Sequence, residues 1–380
     1  MSQINIRNLS NENEDGAPDI VGVSTFSATS YFVPPKGTTA QRPQNPQPGD
    51  LRFNTDTASL EYFKGDTVNW TQIEMTSPDL DGGARGLFLG GSNEPDPSST
   101  YDIIEYITIP TLGNGTDFGN LSSARQEGGA FASSTRGVYF GGDPGINTIE
   151  YVTISSTGNA VDFGDTGDQS KAGAAAADQT RGLMALGWAN PAAVDTIEYV
   201  TTASTGNAVD FGNLTTNLFE GAGFSSSTRG IFSIGYVAPA YQNTIEYVTI
   251  STTGNAADFG DLTVARAYDA GAFSNSTRGI WCGGYVAPAR VNTIDYITIA
   301  TIGNAVDFGD MTSLNGYGDG CSSKLRGVCA SGYGTPSPTN TIVNTMEYIE
   351  IATTGNSIDF GDVTQKRRHI KGCSNAHGGL

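Results

Sequence analysis

The sequence has few histidines and few basic residues, and each shortage excludes a class of function. Its two histidines, His369 and His377, are too few for a metal site built from several imidazoles. Lysine and arginine number 20 against 39 acidic residues, a formal net charge of −19, which disfavours nucleic acid and membrane insertion. Phosphate-binding loops, dinucleotide fingerprints and supported Ser-His-Asp constellations are also absent from the sequence. We therefore expect a protein that is not an enzyme and needs no cofactor or metal.

Cysteine is scarce too, and no pair of the four cysteines has CxxC spacing: Cys282, Cys321, Cys329 and Cys373. All four fall in predicted strands, so we expect buried free thiols, with a disulfide between adjacent units as the alternative. The sequence has no apolar run long enough to span a membrane, and residues 1–6 lack the basic and apolar regions of a signal peptide. These features predict a soluble protein made in the cytoplasm.

The chain does contain a repeat of about 48 residues, the period of propellers and solenoids. An acidic residue before a tyrosine recurs at Glu105, Glu150, Glu198, Glu246, Asp295 and Glu347. An Asp-Phe-Gly triplet begins at Asp117, Asp162, Asp210, Asp258, Asp307 and Asp359. An Arg-Gly pair begins at Arg85, Arg136, Arg181, Arg229, Arg278 and Arg326. Presence in every unit indicates structural roles, with the phenylalanine packed between units and the arginine anchoring the turn before it.

Each unit reads as four short strands, named a to d. In the second unit these are residues 128–133, 137–141, 148–154 and 160–164, rich in β-branched and aromatic residues and separated by Gly, Asn, Ser and Thr. Strand c has apolar groups on both faces, which suits a sheet covered by neighbours on both sides. The first unit lacks strand a, whereas the tail 369–375 matches strand a of the sixth unit, 317–323. The sequence therefore predicts an all-β, six-bladed propeller closed by its C-terminal strand.

Double glycines after strand b, as in Phe140-Gly141-Gly142 and Cys282-Gly283-Gly284, resemble the Kelch repeat. The resemblance covers residues 82–380 and implies a β-propeller. Leu186, Ile234 and Ser331 replace the first glycine in three units, and phenylalanine stands where that family has a strand-d tryptophan. Copper-oxidase chemistry, which related propellers perform, needs histidine ligands that are lacking here.

The first part of the chain is organised differently. Residues 1–33 are polar apart from one candidate strand at 21–26, and the proline-rich stretch 34–49 predicts an extended connector. A small β unit with strands at 51–54, 60–63 and 70–73 follows, too small to bury much surface alone. We predict an N-terminal domain at 1–75 and the propeller at 76–380.

Residues 37–43, 49–57 and 60–63 resemble a module of virion structural proteins and tail fibres of tailed phages, especially marine cyanophages. In that family the module lies on the particle side of a variable distal domain. The resemblance implies a virion protein, assembled in the host cytoplasm, whose residues 1–75 dock to other virion proteins. The small β unit suggests a homotrimer. The alternative is a decoration or connector protein of head, neck or tail that binds only other virion proteins.

Recognition is predicted where the repeats differ. The a–b and c–d turns are nearly uniform, whereas the b–c loops vary in length and chemistry. Candidate ligand-binding residues in or beside these loops are Tyr101, Trp188, Tyr236, Tyr241, Tyr285, Arg290 and Tyr333. Such aromatics suit stacking on host-surface sugars or on a protein, with filling of gaps between blades as the alternative.

A second candidate is the mouth of the axial channel, where the strands a begin. It is predicted to carry Glu127, Glu220, Asp269, Tyr317 and His369. We expect solvated carboxylates without a ligand there, and a bound cation is the alternative.

Overall fold

The structure, a computed structural model, describes residues 34–56, 59–65, 69–72, 84–93, 100–189, 191–334 and 341–380. The chain divides into two compact units, Met1–Asp79 and Leu80–Leu380. The predicted strand at 21–26 and the predicted domain boundary at 75/76 lie outside the described residues. Within the described ranges, no helix has the length and apolar character needed to cross a membrane.

The described residues of the first unit form one four-stranded sheet and one 3-10 helix. Its strands, in sheet order, are Lys36–Gly37, Leu51–Asn54, Ser59–Phe63 and Trp70–Gln72, and the helix is Thr39–Gln41. The first strand runs parallel to the second, with Lys36 paired to Phe53 and Gly37 paired to Asn54. The other two strand pairs are antiparallel. The stretch 34–49 is therefore not simply an extended connector, since it supplies a strand and a helix to the unit.

The centre of the first unit is polar. The Glu61 carboxylate is fully buried and accepts a hydrogen bond from Arg42 Nη2 at 2.6 Å and another from Asn54 Nδ2 at 3.1 Å. Arg52 Nη1 lies 3.3 Å from the same carboxylate. The hydrogen bond from Arg42 lowers the pKa of Glu61. So short a unit cannot build a large apolar core. Its centre therefore holds a network of ion pairs and hydrogen bonds around Glu61.

The second unit is all-β, as predicted, and contains six four-stranded antiparallel sheets, numbered 1 to 6, each with strand order a-b-c-d. Sheet 1 is Lys371–Ser374, Arg85–Leu89, Ile103–Thr108 and Thr116–Asn120; sheet 2 is Gly129–Ala132, Arg136–Phe140, Ile146–Thr153 and Val161–Ser170; sheet 3 is Ala174–Ala177, Arg181–Ala185, Thr196–Thr201 and Val209–Asn213. Sheet 4 is Ala222–Ser225, Arg229–Ser233, Thr244–Thr249 and Ala257–Asp261; sheet 5 is Gly271–Ser274, Arg278–Val286, Ala289–Thr298 and Val306–Asp310; sheet 6 is Asp319–Ser322, Arg326–Ala330, Thr345–Glu350 and Ile358–Asp362.

Strand a of sheet 1 comes from the C-terminal segment. Lys371 pairs with Leu89, Cys373 with Leu87 and Ser374 with Gly86 in antiparallel register. The pairing predicted between the tail and the first unit is therefore confirmed. Strands a of consecutive sheets contact each other from sheet 1 to sheet 6, and strand a of sheet 6 contacts that of sheet 1.

Six apolar clusters form the core, and each combines residues of two consecutive sheets. One of them joins sheet 6 to sheet 1 through Val328, Phe88 and Ile370, all fully buried. The strand-d phenylalanines lie in these clusters and meet the strand-c tyrosines edge-on, as Phe163 meets Tyr151. The four cysteines are buried and free, as expected.

The repeated arginines join neighbouring sheets. Arg85 Nη1 of sheet 1 donates to the Ile154 carbonyl of sheet 2 at 3.0 Å, and its guanidinium lies 4.7 Å from the centre of the Tyr106 ring. The same two kinds of contact are made by Arg136, Arg181, Arg229, Arg278 and Arg326. Arg326 of sheet 6 reaches the Ile109 carbonyl of sheet 1. The predicted structural role is thus correct in kind, but the guanidinium links sheets and does not anchor the a–b turn.

The repeated strand-c acids also join sheets. Each is buried and accepts a hydrogen bond from strand d of the preceding sheet or from the connection that follows that strand, as Glu246 does from the Thr215 amide at 2.8 Å. Glu105 of sheet 1 accepts from the Thr364 amide, which follows sheet 6, at 2.7 Å. The other four acids behave alike: Glu150, Glu198, Asp295 and Glu347.

Candidate functional site

Six residues at the start of the strands a share a left-handed backbone with φ between 52° and 68°. They are Glu127, Ala172, Glu220, Tyr268, Tyr317 and His369. Each amide donates to the carbonyl of the preceding member, as His369 does to Tyr317 at 2.7 Å, and Glu127 donates to His369 at 3.3 Å. The six bonds form a closed cycle. A left-handed backbone costs a residue other than glycine about 1–2 kcal/mol. The six hydrogen bonds therefore offset backbone strain at the six residues of this ring.

Four of the six ring residues, Glu220, Tyr268, Tyr317 and His369, line a space of about 550 Å³, open solvent included, which we call the central cavity. In sheet 5 the ring position belongs to Tyr268, one residue before the predicted Asp269. Asp269 Oδ1 lies 3.2 Å from Arg266 Nε, so this carboxylate already has a cationic partner. Burial raises the pKa of Asp269 to about 6 in spite of that partner.

Glu127, Glu220 and His369 converge at the central cavity, which Glu220 and His369 line. His369 Nε2 lies 3.7 Å from Glu127 Oε1, and His369 Nδ1 lies 3.7 Å from Glu220 Oε1. Glu220 and His369 are only 5% and 6% exposed, so the expectation of solvated carboxylates is wrong for Glu220. Burial and the neighbouring Glu127 carboxylate raise the pKa of Glu220 to about 8. Burial also lowers the pKa of His369 well below its ordinary value, which leaves a neutral imidazole.

Tyr268 and Tyr317, which line the cavity and contact the His369 ring, belong to a continuous surface of aromatic rings that we call the aromatic strip. Its members are Trp188, Phe219, Tyr236, Tyr241, Tyr268, Tyr285, Tyr317 and Tyr333, each half-buried. Every ring lies within 6.5 Å of another, and Tyr268 stacks on Tyr317 with centroids 4.4 Å apart. The strip therefore draws residues from four sheets into one surface.

Short hairpins position the strip. In sheet 5, strands b and c extend past the sheet body so that Tyr285 pairs with Arg290. In sheet 4 a separate hairpin pairs Tyr236 with Tyr241, and in sheet 3 Trp188 pairs with Ala193. These segments were predicted as loops because two-residue ladders leave no periodicity in the sequence. Their backbone pairing fixes the direction of the rings.

Two arginines lie at one end of the strip. The Arg290 guanidinium lies 4.5 Å from the centre of the Tyr333 ring and 5.6 Å from that of Tyr317, and the Arg368 guanidinium lies 5.0 Å from the centre of Tyr333. Cations over aromatic faces are favourable by about 0.5–1 kcal/mol or more. This places positive charge beside the rings in a chain whose net charge is −19.

The structure brings together all but one of the residues predicted for the loop site. No ring contact joins Tyr101 to the strip within the described part of the chain. Sequence reasoning missed Phe219, Tyr268 and Arg368. Counting two residues on from Arg125, Arg266 and Arg367 would have found Tyr268, since it stands at the same offset as Glu127 and His369.

Comparison with known proteins leaves the chain without a family: no family model matches it, and no curated protein does.

Proposed function

We propose that the second unit is a six-bladed β-propeller in which sheets 1 to 6 are the blades. Three independent series of contacts support this by returning from sheet 6 to sheet 1. They are the amide cycle around the central cavity, the strand-b arginines and the strand-c acids. The contact between the strands a of sheets 6 and 1 agrees with them. A solenoid would leave its two end sheets without such partners.

We further propose that the aromatic strip is a binding surface for carbohydrate on a host cell. The observation that carries this is the continuity of half-buried rings from four sheets. Their faces are held by neighbouring rings and by hairpins, so little conformational entropy is lost when a sugar stacks on them. The alternative, that the rings only fill gaps between blades, accounts less well for rings that remain partly exposed.

The setting we propose is a phage tail fibre or appendage, in which residues 1–75 attach to the particle. It rests on the resemblance of residues 37–63 to virion modules. We propose no catalytic role for the neighbouring carboxylates Glu127 and Glu220. A glycosidase carboxyl must reach the glycosidic oxygen, and Glu220 is 5% exposed beneath the rings.

Replacing Tyr236, Tyr241 and Tyr285 together by alanine should weaken binding of the full-length protein to host cells or to a glycan array by about tenfold or more. Loss of about 0.5–1.5 kcal/mol for each ring contact gives that magnitude. The rings are half-buried at the surface, so the melting temperature should fall by only a few degrees.

Tyr101→Ala is the matched control, since Tyr101 is a half-buried loop tyrosine outside the strip. It should bind as the wild type does. Equal binding by the triple variant would rule out the strip as the receptor surface. Binding to purified capsid or tail proteins alone would favour the decoration role instead.

A further inference from the structure

The central cavity brings together metal-binding atoms from three different sheets, beside the stacked Tyr268 and Tyr317, whose ring centres lie 6.2 Å and 5.2 Å from that of His369. Glu127 belongs to sheet 2, Glu220 to sheet 4 and His369 to sheet 1. One ligand atom from each can be chosen so that all lie within 4.8 Å of one another. Ala172 stands between Glu127 and Glu220 in the backbone ring, and its single methyl group leaves room for the two carboxylates to converge.

Two of these groups line the cavity and make no side-chain hydrogen bond to other described residues. Within the described residues, no donor lies at hydrogen-bond distance from the Glu220 carboxylate, and both ring nitrogens of His369 have carboxylate oxygens only at 3.7 Å. Both side chains are more than nine-tenths buried and line the cavity. Buried polar groups are ordinarily paired, and because these two line the cavity, solvent or a cation can supply the partner that the protein does not.

The surrounding charges favour a cation as that partner. Lys171 lies 3.8 Å from Glu127 Oε2, but its ammonium is bound more closely by Asp143, at 2.6 Å. Lys371 lines the cavity with Asp319, and it interacts electrostatically with Asp319 and with both glutamates. Four carboxylates, those of Glu127, Glu220, Asp143 and Asp319, therefore share two ammonium groups.

We propose that Glu127, Glu220 and His369 bind one divalent transition-metal ion, with Zn²⁺ as the expected species. A neutral imidazole with two carboxylates is a donor set that zinc accepts, whereas calcium and magnesium prefer oxygen ligands alone. Zinc ligands at about 2.0–2.2 Å from the ion in a tetrahedron lie about 3.4 Å apart. The two observed 3.7 Å separations involve different ring nitrogens of His369, so one ion would take one nitrogen and the carboxylate beside the other nitrogen would move toward it. One ligand atom of each residue already lies within 4.8 Å of the others. The ion would link sheets 1, 2 and 4 across the cavity.

Calorimetric titration of the untagged full-length protein, first dialysed against a chelator, tests this. We expect one Zn²⁺ per chain. Glu127→Gln and Glu220→Gln preserve side-chain shape and remove a charged ligand atom. Each should weaken Zn²⁺ binding by more than about tenfold, since losing even a group that only orients a metal ligand costs about tenfold or more. Asp269→Asn is the matched control, because Asp269 is an equally buried acid of the same cavity that is held by Arg266. It should change the affinity by less than about threefold.

Histidine NMR gives a second readout that does not depend on affinity. The chain has two histidines, and His377 binds the Ala132 carbonyl through Nε2 at 2.8 Å. Zn²⁺ should shift the ring signals of His369 and leave those of His377 in place. Absence of stoichiometric binding, or binding that both glutamine variants retain, would overturn the proposal. So would binding of Ca²⁺ in preference to Zn²⁺ without any change at His369.

Discussion

Removal of residues 369–380 is expected to abolish cooperative folding of the second unit. The deletion takes away strand a of sheet 1 and exposes the edge of Arg85–Leu89, in which Leu87, Phe88 and Leu89 are fully buried or nearly so. It also removes Ile370 and Cys373 from two different apolar clusters. Each buried apolar side chain contributes about 1.5–3 kcal/mol, and two bonds of the amide cycle are lost as well. The sum is comparable to the total stability of a typical domain, about 5–15 kcal/mol.

Thermal denaturation followed by circular dichroism, together with size-exclusion chromatography, measures the effect. The control is a shorter deletion of residues 376–380, which keeps the strand. It removes the His377 contact with Ala132 and the bond from the Gly378 amide to the Ser274 carbonyl at 2.9 Å. This variant should remain folded with a lower melting temperature. A soluble 1–368 protein that melts cooperatively near the wild-type temperature would contradict the role assigned to the tail.

The sequence predicted the strands of the second unit well because each repeat confirms the others. Strand c of the second unit was predicted at 148–154 and is Ile146–Thr153; strand b was predicted at 137–141 and is Arg136–Phe140. Strand d extends further than predicted, to Ser170, because its last residue pairs with Ile146 across a bulge. Such irregular pairing depends on the partner strand and leaves no period in the sequence.

Relations between sheets were harder to predict from the sequence. The arginine of strand b recurs once in each repeat, whether its side chain contacts its own a–b turn or the next sheet. The repeat pattern therefore could not show that Arg85 contacts the next sheet. The site illustrates the same limit. Glu127, Glu220 and His369 were predicted at equivalent positions, but the depth of Glu220 depends on the packing of all six strands a.

Arg367→Leu is expected to destabilise the second unit by about 3–5 kcal/mol, the cost of leaving one partner of a buried ion pair without the other. Arg367 and Glu105 are both fully buried, and the guanidinium donates to the Glu105 carboxylate and to the Gly90 carbonyl at 2.7 Å. Leucine is the informative replacement, since Leu218 occupies the same repeat position in sheet 4. Urea denaturation of both single variants and of Arg367→Leu with Glu105→Gln completes the double-mutant cycle. The double variant should regain most of the loss, because no unpaired charge remains buried.

Sheet 4 supplies the comparison for the last prediction, since its acid, Glu246, is buried without an arginine. Burial raises the pKa of Glu246 above its ordinary value of 4.5. Between these two pKa values the folded state binds more protons than the unfolded state, so this group makes stability fall as pH rises. Glu246→Gln should remove that pH dependence and be neutral or stabilising at pH 8, whereas Glu105→Gln should cost stability because it leaves Arg367 unpaired.

A cost below about 1 kcal/mol for Arg367→Leu would contradict the role assigned to the ion pair. It would mean that hydrogen bonds from the preceding sheet suffice for Glu105, as they do for Glu246.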